Sequence, residues 1–335
     1  MPKPAAAVVR ALVMATTLWR EYICSTAEDS YVPLALVMTD LPLDQVRTLL
    51  AVVDEGTFDA AAAALHVTPS AVSQRVKALE QRTGRVLLLR TKPVRPTESG
   101  EVLVRLARQV GRLERDAQAE LGLSGAGEPT RVPVAVNADS LATWFLGALT
   151  RLPPDSRLRF ELRREDEAHT AALLREGTVM AAVTSSPDAV PGCSVRHLGR
   201  MRYLPAAHPE FAARHLAGPL REVLPVAPVV VFDRKDDFQD GFVRRLTRGR
   251  SEASALRHYV PTSEGFAEAV AAGLGWGMVP EAQANPLLRS GRLTVFAPGR
   301  EVDVSLYWQQ WKLDSPALAT VADAVTRAAA GSLRT

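Results

Sequence analysis

Cysteine is almost missing from this chain. Two occur in 335 residues, Cys24 and Cys193, too few and too far apart for a disulfide framework. Aromatic residues make up only 6%. No apolar run approaches the roughly 18 residues of a membrane span, so the expected location is the cytoplasm, with no membrane partner. The six histidines show no metal-ligand spacing. The only glycine-dense stretch, AGLGWG at 272–277, follows a helical pattern instead of opening one, so it does not read as a phosphate loop. With no Ser-His-Asp set either, neither a catalytic group nor a metal nor a cofactor is expected. The remaining composition, 47% hydrophobic and 23% charged, is that of a globular protein long enough for two or three domains.

What is present is concentrated in Thr57 to Leu79, TFDAAAAALHVTPSAVSQRVKAL. Phe58, Ala62 and Leu65 recur at helical spacing, HVT interrupts, and Thr68 can cap a second helix with Pro69 at its first position. Val72, Val76 and Leu79 then form one buried stripe. The opposite face carries Ser70, Ser73, Gln74, Lys77 and Gln81. Hydroxyls, amides and a cation are what a helix in a DNA major groove needs. The plain alternative is a solvated face on a helical hairpin.

The residues downstream favour DNA. VLLLRTKPVRP reads as a strand, a turn and a return, making the whole a winged helix. From Thr68 to Thr97 there are seven cations, Arg75, Lys77, Arg82, Arg85, Arg90, Lys92 and Arg95, against one acid, Glu80. The whole chain carries only +3, so this charge is placed locally. Ser70, Ser73, Gln74 and Lys77 are the candidates for groove contacts, and Thr68 and Pro69 for the helix start. Arg75, Arg90, Lys92 and Arg95 are the phosphate candidates. LPLDQVRTLLAVVDEG supplies a preceding helix with Leu43, Val46, Leu49, Leu50 and Val53 as its expected stripe and Gly56 as its stop.

Residues 1–40 fit poorly with this pattern. AAAVVRALVMATTLW resembles a weak signal sequence, with Lys3 and Arg10 before an apolar run. The run is only about nine residues long, however, and Arg20-Glu21 follow with no small-residue cleavage site, so the segment reads as an extension that is disordered or precedes a true start at Met38. The head spans 41–96. Residues 97–123 form one long helix whose Leu103, Leu106, Val110, Leu113, Ala117 and Leu121 approach a coiled-coil seam, so a homodimer is expected. A helix folded back on its own domain is the alternative. SGAGEP, 124–129, reads as a flexible linker. Beyond it, from 130 to 333, strand-like runs alternate with helical ones, which predicts an α/β domain with mostly parallel strands.

Taken together, AAAALHVTPSAVSQRVKALE, the wing RTKPVRPTESG, the long helix and the C-terminal α/β region resemble a LysR-type transcriptional regulator over residues 41 to about 330. AVNADSLATWFLGAL, VVVFDRKDD, TSEGFAEAVAAGLGWGMVP and LYWQQW are similar to the ArgP/LysG branch, whose members respond to lysine or arginine and control export of basic amino acids. The resemblance implies a two-lobed effector domain like that of periplasmic binding proteins, with lobe I near 130–200 and 300–333 and lobe II near 201–299. It also implies pairing of dimers into tetramers on promoter DNA, and RNA polymerase as a partner.

Ligands of open α/β sheets bind beyond the carboxyl ends of strands. Here those ends carry Asn137, Asp139 and Ser140, then Thr184, then Ser263 and Glu264, with Asp233 following VVVF. Free N–H groups at a helix start suit an α-carboxylate. Asp139, Asp233 and Glu264 suit an ammonium or a cationic side chain, which favours lysine or arginine. Asp139, Ser140 and Ser263 could instead be simple helix caps. A regulator with another effector and, remotely, an α/β enzyme with a DNA-binding head are the competing readings.

Overall fold

A computed structural model describes residues 41–123, 129–153, 156–164 and 167–335. The expectations for the N-terminal extension and for most of the SGAGEP linker lie outside these residues.

Three helices open the described chain: α1 Leu43–Glu55, α2 Phe58–Ala64 and α3 Pro69–Thr83. α1 turns its buried side somewhat away from the expected stripe. Val46, Leu49 and Val52 are buried, whereas Leu43 is 44% exposed and Leu50 and Val53 lie at the margin. Gly56 ends α1 at φ +72°, as its freedom permits. Two short strands, β1 Leu88–Leu89 and β2 Arg95–Pro96, pair antiparallel and form the wing.

The long helix α4, Glu98–Glu120, follows, capped by Thr97 Oγ1, which accepts from the Gly100 amide. It packs Leu103, Val104 and Ala107 inward against α1 and the wing. Part of the expected seam is therefore spent within the chain. Leu113 and Leu121 remain 43% and 72% exposed.

The C-terminal domain starts with β3 Thr130–Val136. A helix in three pieces follows, together α5: Ala138–Ser140, a π-helical turn Leu141–Phe145, and Leu146–Leu149. Next come β4 Leu158–Arg164, α6 Glu167–Glu176, β5 Ala181–Thr184 and the 15-residue β6 Cys193–Ala207. Then follow α7 Pro209–His215, α8 Leu220–Val223, β7 Val229–Val231, α9 Phe238–Thr247, β8 Arg257–Tyr259 and α10 Ser263–Ala271. β9 Gly277–Pro280, α11 Glu281–Arg289, β10 Thr294–Val295, β11 Val302–Trp311 and α12 Pro316–Ser332 complete the chain.

The main sheet runs β10-β6-β11-β5-β3-β4, with β9 also on β6. It is mixed, not mostly parallel. β3 pairs in parallel with β4 and β5, but β6 and β11 run antiparallel to each other and to their other neighbours. The cause is the two-lobed plan. β6 leaves lobe I and ends in lobe II, and β11 returns beside it, so one long antiparallel pair joins the halves. Its register slips at Leu306/Tyr307, and Arg202 grips Asp303 across it through two bonds of 2.7 and 2.8 Å. Trp308 and Leu306 are buried beneath it.

Candidate DNA interface and effector cleft

On α3 the sequence's two faces are realised. Val72, Val76 and Leu79 are buried, while Ser70, Ser73, Gln74, Lys77 and Gln81 are exposed. Thr68 Oγ1 accepts from the Ala71 amide, and Pro69 stands at the first turn. The one acid of the basic stretch is turned away from the surface charge: Glu80 Oε1 accepts the Leu87 amide at the foot of the wing. That leaves Lys77, Arg82, Arg85, Arg90, Lys92 and Arg95 exposed on α3 and the wing. Two cations are partly committed. Arg90 lies over the Phe58 ring, and Arg75 is half-buried with Nη1 3.5 Å from Thr48 Oγ1.

In the effector domain, the carboxyl end of β3, the start of α10 and strand β6 meet at Asp139. Its Oδ1 accepts from the Ser263 hydroxyl at 2.5 Å and its Oδ2 from the Tyr203 hydroxyl at 2.7 Å. Asp139 follows β3, Ser263 opens α10 and Tyr203 lies on β6, so one carboxylate ties together three elements far apart in sequence. Gln283 of α11 stands behind Ser263, its Oε1 3.1 Å from the hydroxyl. Burial pushes the Asp139 carboxyl above the ordinary aspartate range, and neighbouring Glu264 adds to the rise, while the two hydroxyl donors oppose it.

Ser263 is not a cap, because Thr262 fills that role by accepting the Gly265 amide. Asp139 and Ser140 are not caps either. The cap position is Asn137, whose side chain makes no capping bond. Asn137 and Ser140 are 6% and 0% exposed, and Asn137 Oδ1 and Ser140 Oγ have no protein partner. Two buried polar oxygens left open beside a helix start are a standing cost of about 1–3 kcal/mol each unless a ligand or water fills them. The π-helical turn just behind is a distortion that recurs at functional sites.

Not every expected residue joins this cluster. Thr184 is buried and its Oγ1 accepts the Ser186 amide, closing its own turn. Asp233 likewise turns inward on its loop, with Oδ1 accepting from the Lys235 and Asp236 amides. Its neighbour Asp236 is the one that feels Asp139. Burial raises its carboxyl first, the Phe232 and Phe238 amides oppose the rise, and Asp233 and Asp139 add to it. Phe238 packs edge-on to Tyr203, ring centres 4.7 Å apart. Tyr203, Asp236 and Gln283 thus belong to the site although sequence reasoning missed them. Glu264 is exposed at the rim.

Comparison with known proteins identifies the family. Residues 43–101 match the bacterial regulatory helix-turn-helix protein of the lysR family, and residues 129–330 match the LysR substrate binding domain. The chain is 48% identical over 300 residues to the HTH-type transcriptional regulator LysG of Mycobacterium tuberculosis, covering 89% of this chain and 97% of that one. A crystal structure of ArgP from Mycobacterium tuberculosis superposes with a TM-score of 0.80 at 48% identity, over 87% of this chain and 98% of that one. The full-length LysG of Corynebacterium glutamicum with bound effector Arg gives 0.75 at 41% identity, over 88% and 100%.

Proposed function

The chain belongs to the LysR family of DNA-binding transcriptional regulators, and on that premise we propose that its effector is arginine or lysine. The observation that carries this reading is Asp139. Burial, two hydroxyl donors and a further carboxylate act on it, and none of these is a cation. Asp236 and Glu264 bring the local count to three acids around one cleft. A guanidinium or ammonium is the group that such a cluster best accommodates, because a desolvated anion needs an opposite charge. At the other end, the N–H groups at the start of α5 and the Ser140 hydroxyl suit the α-carboxylate, while the open Asn137 Oδ1 suits the α-ammonium. The arginine-bound relative named above supports the same class.

A ligand joining α5 of lobe I to α10 of lobe II changes the angle between the lobes, and with it the placement of the DNA-binding heads. α3 with Ser70, Ser73, Gln74 and Lys77 enters the major groove, and the wing with Arg90, Lys92 and Arg95 holds phosphates. Arg75, drawn back on Thr48, has the weakest claim to a phosphate. The exposed seam of α4 pairs two chains, and pairs of dimers act at a promoter with RNA polymerase in the cytoplasm. Among the described residues no helix is long and apolar enough to cross a membrane. The regulated gene is an exporter of basic amino acids. Calorimetry with arginine, lysine and a neutral amino acid tests the effector. Binding of the two cations alone supports it, and equal binding of the neutral one rejects it.

A further inference from the structure

The wing of the head is too short to fix its own position. Its ladder holds two residue pairs, Leu88 with Pro96 and Leu89 with Arg95, and a two-stranded ribbon of that size is not stable alone. Its place relative to α3 is therefore set by attachments at its two ends. At the far end the Val94 amide donates to the Gly56 carbonyl at 2.8 Å. At the near end the bonds converge on Leu87, which is 1% exposed. The Leu87 amide donates to Glu80 Oε1 at 2.8 Å, and its carbonyl accepts the Thr97 amide at 2.9 Å. The first turn of α4 presses on the same residue, for a Cβ at Gly100 would come within 2.0 Å of the Leu87 oxygen.

Glu80 acts twice in this chain reversal. Its carbonyl accepts the Gly84 amide and, at 3.2 Å, the Arg85 amide, which closes α3 with Gly84 at φ +63°. Its side chain then reaches beyond the turn to Leu87. Among the described residues this is the hydrogen bond that joins α3 to the wing. Glu80 is also the one acid among seven cations between Thr68 and Thr97. A carboxylate there repels phosphate, so on charge alone it weakens DNA binding. Its described side-chain bond goes to an amide and to none of those cations. A charged acceptor holds a buried amide more firmly than a neutral one, which gives the acid a task other than neutralising its surroundings.

We propose that Glu80 is a positioning residue for the wing. Its hold on the Leu87 amide fixes the angle at which the wing leaves α3, so that Arg90, Lys92 and Arg95 meet phosphates while α3 lies in the major groove. The proposal rests on the reading of the wing as a phosphate contact, and Lys92→Ala tests that reading by itself. Two variants of the full chain separate charge from reach. Glu80→Gln keeps an acceptor oxygen at the same reach and removes the charge. Glu80→Asp keeps the charge and is one methylene too short to meet Leu87. Affinity for a duplex from upstream of the protein's own gene is measured over a range of salt for the parent, both Glu80 variants and Lys92→Ala. Peptide hydrogen exchange on the same preparations, without DNA, follows the wing base and the body of α3 separately.

In Glu80→Asp the wing base exchanges faster while the body of α3 keeps the parent's rate. DNA binding weakens roughly tenfold or more at about 0.1 M salt, and the salt slope falls by roughly one to three units, about one for each wing cation released. Glu80→Gln keeps the parent's slope and exchange, and binds DNA as tightly or more tightly. A purely electrostatic role gives a different order, with Glu80→Gln tighter and Glu80→Asp equal to the parent. That order overturns the proposal, as does a Glu80→Asp protein whose wing base exchanges faster at an unchanged slope. Exchange that rises throughout α3 in Glu80→Asp shows a structural role only and overturns it too. If Lys92→Ala leaves the parent's slope unchanged, the wing's phosphate contact falls and the proposal with it. A slope lowered in Lys92→Ala but not in Glu80→Asp removes the proposal alone.

Discussion

Asp139→Asn separates binding from folding. The substitution keeps the shape that meets Tyr203 and Ser263 and removes the charge. One hydroxyl goes on donating to the amide oxygen, and the other reverses its role to accept from the amide nitrogen. In the ligand-free protein the change relieves a carboxyl that burial already drives toward its neutral form, so the melting temperature should stay level or rise. In the complex it removes the partner of a guanidinium or ammonium. Two unit charges about 4 Å apart at an effective dielectric of about 20 attract by roughly 4 kcal/mol. Truncating one member of a buried hydrogen-bonded charge pair costs about 2–5 kcal/mol in measured complexes. That range corresponds to arginine binding weakened roughly 30-fold to several thousand-fold. Calorimetry for affinity and thermal unfolding for stability, run on the same preparation, give both numbers. Unchanged arginine affinity, or a loss of affinity that tracks a collapse in melting temperature, would refute the reasoning.

Other expectations follow from the same geometry. Asp139 and Asp236 are held above their ordinary values in the free protein. The folded state thus binds more protons than the unfolded one, and their contribution to stability is full at low pH and fades as pH rises through the folded values. A cationic ligand reverses the preference, so arginine affinity should rise with pH over that interval and binding should release protons, as calorimetry in buffers of different ionisation enthalpy will show. Gln74→Ala should cost about 1–3 kcal/mol at the cognate site with relaxed specificity. Lys92→Ala should instead weaken all DNA alike and reduce the salt slope by about one unit, with equal losses from both on cognate and random duplexes arguing against the division. Leu113→Glu, on the exposed seam of α4, places a charge in the expected dimer contact. Sedimentation should show single chains, and an unaltered dimer would put the contact elsewhere.

The head was readable because its signals are local. Thr68, Pro69 and the Val72, Val76, Leu79 stripe lie within twelve residues, and each acts through its own turn of helix. The cleft was half readable. Asp139 and Ser263 announce themselves at helix starts after strands. Tyr203 sits in the middle of a strand that shows little alternation, since its second half is buried on both faces. Three arginines, Gly199 and Pro205 further mask that strand, and it went unrecognised along with the joining role it plays. Asp233 and Asp236 both accept loop amides, and what sets Asp236 apart is its burial near Asp139, which RKDD does not encode. Gln283 lies one turn inside a helix and acts only through Ser263.

The central claim is a DNA-binding head whose grip depends on a cation held by Asp139. The measurement that meets it most directly is a footprint of the full chain on the DNA upstream of its own gene, with and without arginine, for the parent and for Asp139→Asn. The account predicts a protected inverted repeat whose edges move when arginine is added to the parent, and edges that stay put in the variant at the same concentration. Protection that is indifferent to arginine in the parent, or that moves equally in both, contradicts it.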